Sequence, residues 1–259
     1  MTPEEAWVNS SRLKQLVCGL IAATALVTVT SEARGQARTI RMPSPLGGER
    51  LFAILLPLSY DGSTARYPVV YLFHGGGQDH TAFMARSAFT PMSRRHEFIV
   101  VMPAADRSYS AIGPEAQARY HDFVANEIVD YVDSHYRTIP ARDGRAIAGL
   151  SMGGRIATMT ALRHPDRFAA VGAFSAALRP DAEAAVQDAP ASAPYFYVSC
   201  GTADTLIAIN REFVGWLMQR DLAHEYREAP GLGHTWVLWD EQIGVFFDLL
   251  KARGLRPGK

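Results

Sequence analysis

Cysteine is nearly absent from this chain. Cys18 and Cys200 are its only two, so removing the segment that carries Cys18 leaves Cys200 without an intramolecular disulfide partner. Excess charge of either sign is absent too, with 26 Lys and Arg against 26 Asp and Glu. That balance excludes the basic footprint of a nucleic-acid binder and an acidic tail. No apolar run is long enough for a comfortable membrane span, so no stable span is expected in the mature form. There is no internal repeat and no interdomain linker. A chain of 259 residues therefore reads as one domain, or one domain with a targeting segment. What is abundant is apolar surface: 48% of residues are hydrophobic, enough for a large core.

The first segment has the layout of a secretory leader. Arg12 and Lys14 precede the uncharged apolar run Leu16 to Thr30, and Gly35-Gln36-Ala37 places small residues at the minus-three and minus-one positions of a cleavage site. The leading Glu4-Glu5 is untypical of such a leader. The expected division is a signal peptide over 1–37 and one domain over 38–259. The mature protein is then secreted or periplasmic; the alternative is an uncleaved cytoplasmic chain.

Beyond the leader the apolar pattern alternates between strand and helix. Thr39 to Met42 and Arg50 to Leu56 predict an antiparallel hairpin at a sheet edge. Val69 to Phe73 and Phe98 to Pro103 are apolar on both faces, as central strands of a parallel sheet are. Gln117 to Tyr136 carries apolar residues at three-and-four spacing and predicts a long helix. Strands follow at Ala146–Ala148, Phe168–Phe174, Tyr195–Cys200 and Glu225–Arg227. Helices are expected at 152–164 and 207–222, with a closing helix capped by Asp240 that faces inward through Ile243, Phe246, Phe247 and Leu250. Arg179 to Pro190 reads as a surface loop or short helix. The fold class is α/β, a doubly wound and mostly parallel sheet with an antiparallel N-terminal edge hairpin.

Chemistry concentrates at Gly149-Leu150-Ser151-Met152-Gly153. By chance the G-x-S-x-G pattern arises in roughly one chain of this size in ten, so its setting decides. Here it joins a buried strand to an amphipathic helix. A serine in a strained strand-to-helix turn tolerates only small neighbours two residues either side. The turn lifts Oγ above the sheet and sets it at a helix N-terminus, where negative charge is favoured. A serine hydroxyl needs a base, and the base needs an acid to fix its tautomer. Asp204 follows the penultimate strand and a glycine turn. His234 lies in a Gly-flanked loop between the last strand and the last helix. Asp181 is the alternative acid. His74 opens a glycine-rich turn, His74-Gly75-Gly76-Gly77, and fits a shaping role better than that of base. The N–H groups of Met152 and of one glycine in that turn, Gly76 foremost, are the expected oxyanion hole. Gly75, Gly77 and Trp236 are the expected pocket residues, with core packing the other role open to Trp236. Trp239 reads as core and Cys200 as a buried small residue.

These segments resemble the esterase family of the α/β-hydrolases that includes esterase D, S-formylglutathione hydrolase, feruloyl and acetyl-xylan esterases, and mycolyltransferases. The resemblance is carried by Tyr67 to Gly75, Tyr136 to Ile139, Ala146 to Gly154, Gly201 to Asp204 and Gly233 to Trp236, and spans about 38–250. It implies the α/β-hydrolase fold and a Ser-His-Asp esterase with no cofactor and no metal. The expected substrate is a small-molecule or glycan ester with a short-acyl or aryl-acyl group. The alternatives are acyl transfer of mycolyltransferase type and a thioesterase like S-formylglutathione hydrolase. Export argues against the latter, because glutathione thioesters are intracellular. A non-catalytic binder on the same scaffold is disfavoured because all three triad positions are filled.

Overall fold

The computed structural model describes residues 37–44, 47–86, 88–105, 109 and 112–258. The expected leader, apart from Ala37, lies outside the described residues. So do 106–108, 110 and 111, in the segment between Pro103 and Pro114.

An eight-stranded sheet runs through the described chain. The hairpin of β1 (Arg38–Pro43) and β2 (Glu49–Leu55) forms one edge, paired antiparallel with Ile40 opposite Phe52. The remaining strands are β3 (Val69–Phe73), β4 (Ile99–Pro103), β5 (Arg145–Leu150), β6 (Ala170–Phe174), β7 (Tyr195–Gly201) and β8 (His224–Ala229). Their order is β1-β2-β4-β3-β5-β6-β7-β8. All pairings from β4 through β8 are parallel, while β2 meets β4 antiparallel. The doubly wound sheet and its antiparallel edge are therefore as the sequence predicts. β8 is the opposite edge, and its side chains are half-buried or exposed.

Strand alternation builds two cores. Val69, Tyr71, Phe73 and Ile147 point to one face and pack with residues of α4 (Met152–Arg163) and α6 (Ile207–Gln219). Val70, Leu72 and Ala148 point to the other and meet α7 (Trp236–Ala252) through Ile243, Phe246 and Leu250. Strands buried on both faces need continuous apolar runs, which is why β3 and β4 are so plain in the sequence. Short helices α1 (Phe89–Arg95) and α5 (Asp181–Gln187) complete the layers.

Three helix boundaries differ from expectation, and the simplest is α6, which ends at Gln219 rather than at 222. The long helix starts at Pro114 rather than Gln117, as α2 (Pro114–Phe123). It passes through a π-helical segment at Val124–Ile128 and continues as α3 (Val129–His135). Proline is tolerated there because the first helical N–H needs no partner. The closing helix begins at Trp236, after an extended Thr235, and not at Asp240. Asp240 lies inside α7 and accepts a hydrogen bond from Arg86 at 2.9 Å. It is a cross-chain ion-pair partner, not a cap.

Candidate active site

Ser151 occupies the turn between β5 and α4 with φ +55° and ψ −118°. L-residues rarely adopt that conformation, and it is held here from both sides. The Ser151 N–H donates to the Phe174 carbonyl and the Ser151 carbonyl accepts from Ala177 N–H, each at 2.9 Å. The flanking glycines are required by contact. A Cβ on Gly149 would strike the Gly153 backbone, and one on Gly153 would strike the carbonyls of Phe73 and His74. The elbow is thus in backbone contact with the turn that leaves β3.

That turn is locked around Gly75. His74 Nδ1 donates to the Gly75 carbonyl at 2.8 Å, and His74 Nε2 accepts from Ala105 N–H at 3.0 Å. With both ring nitrogens engaged, His74 shapes the turn and is not placed to act as a base. Gln78 Oε1 takes the Gly75 N–H at 3.0 Å. A Cβ on Gly75 would sit 2.7 Å from Leu150 Cδ1 and 3.6 Å from Ser151 Cβ. Gly75 is buried against the elbow, while Gly76 and Gly77 are exposed. The Met152 N–H is the first of α4 and has no acceptor within the helix.

Asp204 and His234 come together. Strands β7 and β8 end side by side, and their loops are zipped by Thr202 N–H to Ala229 O and Ala203 N–H to Leu232 O, each 3.0 Å. Gly231 N–H adds a bond to Thr202 Oγ1 at 2.8 Å. Gly201 is needed because a Cβ there would run into the Leu232 carbonyl. The result is a hydrogen bond from His234 Nδ1 to Asp204 Oδ2 at 2.9 Å. The Asp204 side chain is fully buried, whereas that of His234 is 35% exposed. The Asp204 carboxylate is sealed in and the His234 imidazole faces outward. Asp204 Oδ1 also accepts from Leu206 N–H at 2.9 Å. Ser151 Oγ makes no hydrogen bond to His234 in this structure. Such bonds commonly tighten only when substrate is bound.

The other acid and the other histidines are engaged elsewhere. Asp181 forms a two-oxygen pair with the buried Arg155, and that guanidinium holds its carboxyl below the usual range. His96 pairs with Asp248, His164 with Asp122, and His121 is buried between Tyr109 and Thr160. His80 meets Thr39, His135 stacks on Tyr131, and His224 bonds the Leu222 carbonyl.

Trp236 packs within the fold and also borders a cleft. It packs edge-on to Phe83 and Trp239, and it lines a cleft of about 310 Å³ with Gln78, Asp79, Ala82, Ala85 and Arg86. The Arg86 guanidinium carbon lies 4.9 Å from its ring centroid. Trp239 is buried, as expected. Cys200 is buried, and burial pushes its thiol up to about 12, so it is no ready nucleophile. Among the described residues, no group of three His, Cys, Asp or Glu side chains is placed to hold a metal. Also among them, no helix is long and apolar enough to cross a membrane. Sequence reasoning missed Gln78, Ser175 and Asn210, whose contacts are described here and below. None of them belongs to a motif.

The profile of the "Putative esterase" family matches residues 44–243. An endo-1,4-beta-xylanase/feruloyl esterase of Xylanibacter ruminicola is 27% identical over 82% of this chain. The chain spans 29% of that protein's length. An acetyl esterase of Caldicellulosiruptor saccharolyticus is 24% identical over 73% of this chain and 85% of its own length. A solved ferulic acid esterase superposes with a TM-score of 0.71 at 26% identity, covering 84% of this chain and 98% of that one.

Proposed function

This chain belongs to the esterase family of the α/β-hydrolases, and from that premise we propose that it is a serine carboxylester hydrolase whose triad is Ser151, His234 and Asp204. The observation that carries the reading is the buried Asp204 carboxylate hydrogen-bonded to His234 Nδ1. That bond fixes the proton on Nδ1 and leaves Nε2 as the acceptor. Ser151 Oγ attacks the ester carbonyl while His234 takes its proton. The developing oxyanion is met by the N–H groups of Met152 and Gly76. His234 then protonates the leaving alcohol, and water releases the acyl group by the reverse steps.

The substrate is a short-acyl or aryl-acyl ester of a small molecule or glycan. Similarity to proteins named as feruloyl and acetyl esterases supports this range. The cleft beside the Gly75–Gly77 turn, with Trp236 as one wall, is the proposed place for part of that ester. The test is a panel of p-nitrophenyl acetate, butyrate and octanoate, methyl ferulate, and acetylated xylan, each run against Ser151→Ala. Turnover lost in a folded variant is expected; unchanged turnover refutes the assignment. Transfer of the acyl group to an added sugar or lipid hydroxyl, in place of hydrolysis, would favour the acyltransferase alternative. The same reading takes 1–37 as a leader and the mature enzyme as exported. N-terminal sequencing of the native protein tests this, and an intact Met1 on a cytosolic protein refutes it.

A further inference from the structure

The end of β6 and the turn after it, Phe174 to Ala177, lie outside the proposed triad, yet all three triad positions are tied to them. Phe174 O and Ala177 N–H grip the two peptide groups of Ser151. Ser175 Oγ accepts from Trp239 Nε1 at 3.2 Å, and the Trp239 ring stands edge-on to the His234 imidazole, 4.8 Å between centroids at 86°. Asn210 of α6 is fully buried. Its Oδ1 accepts from Ala176 N–H at 3.2 Å. Its Nδ2 donates to Ala176 O at 3.0 Å and to Leu206 O at 2.8 Å. Leu206 N–H in turn donates to Asp204 Oδ1.

Ser175 carries a second mark. It is completely buried and adopts φ +45°, a left-handed conformation that favours glycine. A glycine there would be unstrained but would leave Trp239 Nε1 without its acceptor. Strain retained at a buried serine whose hydroxyl serves Trp239 Nε1 and the neighbouring Cys200 thiol points to the hydroxyl as its purpose. The backbone of Ser175 is anchored independently, its N–H donating to Ser199 O on β7 at 2.7 Å.

We propose that this turn is the fixture that sets nucleophile, base and acid relative to one another, with Ser175 and Asn210 as its positioning residues. Ser175 acts through Trp239 on the tilt of His234. Asn210 acts through Leu206 on Asp204. Neither touches substrate. The proposal rests on the triad reading above, so Ser151→Ala is run beside it.

The decisive variants are Ser175→Gly and Trp239→Phe, alone and combined, assayed for kcat, KM and thermal melting on p-nitrophenyl acetate. Ser175→Gly relieves backbone strain but orphans the buried Trp239 N–H, two opposing effects of similar size, so it is expected to melt close to wild type. Its kcat is expected to fall about 10- to 100-fold with KM little changed, the scale of a misplaced catalytic group. Trp239→Phe removes the same hydrogen bond and keeps an aromatic, though smaller, ring beside His234, so its kcat is expected to fall at least as far. The double variant is expected to be no worse than Trp239→Phe alone, since both break one link. Asn210→Ala is expected to lower kcat, with no further loss when combined with Asp204→Asn. Wild-type kcat in Ser175→Gly overturns the proposal, even if Trp239→Phe or Asn210→Ala fails to fold. So do additive losses in the Ser175–Trp239 pair. If Ser151→Ala keeps turnover, the triad reading itself falls and takes this proposal with it. If Ser151→Ala is dead and Ser175→Gly is fully active, only the fixture falls.

Discussion

Replacing Asp204 with asparagine is the sharpest test of the proposed acid, because the structure dictates how the amide must sit. The Asp204 carboxylate is buried and has two fixed neighbours, Leu206 N–H at Oδ1 and His234 Nδ1 at Oδ2, each at 2.9 Å. Leu206 N–H can only donate, so the asparagine oxygen must stay on that side. Turning the amide over would set two donors face to face in a buried site. The NH2 group therefore faces His234, whose Nδ1 must become the acceptor and whose Nε2 must carry the proton. In that tautomer the imidazole cannot take a proton from Ser151. The expected loss in kcat is about 10,000-fold, or about 5 kcal/mol in the barrier. Shape and hydrogen-bond count are conserved, so thermal melting should stay near wild type. The assay is p-nitrophenyl acetate hydrolysis at neutral pH beside a melt and Ser151→Ala. A folded Asp204→Asn enzyme within about tenfold of wild-type kcat refutes the reasoning. Asp181→Asn is the matched control. It weakens a two-oxygen pair to Arg155, which is only 3% exposed, while Asp181 itself is 54% exposed. Discounted for that exposure, the cost is about 1–2 kcal/mol of stability, with kcat close to wild type.

Gly153→Ala drives a Cβ into the carbonyls of Phe73 and His74. It should cost about 3 kcal/mol and much of the activity, and an unchanged melting temperature would show that the elbow and the β3 turn can part freely. His121 supplies a pH test. Burial, aided by Arg155 and Arg163, pushes it down from 6.5 to about 3. The folded protein holds it neutral while the unfolded chain protonates it below about 6.5, so its contribution is intact above that pH. As pH falls toward 3 the stability drains away, by at most about 1.4 kcal/mol per pH unit. In denaturant titrations, the stability of wild type relative to His121→Asn should fall across that window. A flat difference refutes the buried neutral histidine.

What the sequence discloses is what local chemistry enforces. The elbow is legible because Gly149 and Gly153 answer to backbone contacts that no other residue fits, and β3 and β5 because burial on both faces demands unbroken apolar runs. Asp204 and His234 are legible from their place after consecutive strands, which the zipped β7 and β8 loops then bring together. Helix boundaries set by distant partners are not legible. Asp240 looks like a cap because nothing nearby explains its charge; its partner, Arg86, lies far away in sequence. Trp236 and Trp239 look like loop or core residues, and only the structure shows that they begin a helix. Ser175 and Asn210 are silent for the same reason. Their hydrogen bonds run to Trp239 and to Ala176, and a single polar residue in an apolar stretch does not announce a remote partner.

The strand that delivers the chain to His234 is also the outermost strand of the sheet. β8 pairs with β7 on one side, and among the described residues no strand covers the other. A bare edge invites a strand from another molecule to dock and begin aggregation. Here the edge is furnished with charge: Glu225 and Arg227 pair at 2.7 Å, and Glu228 takes Arg211 through both oxygens at 2.8 Å. An incoming backbone would have to strip these ions of water and of one another. The strand that leads into the His234 loop is thus a poor template for polymerisation, although it lies at the sheet's open edge.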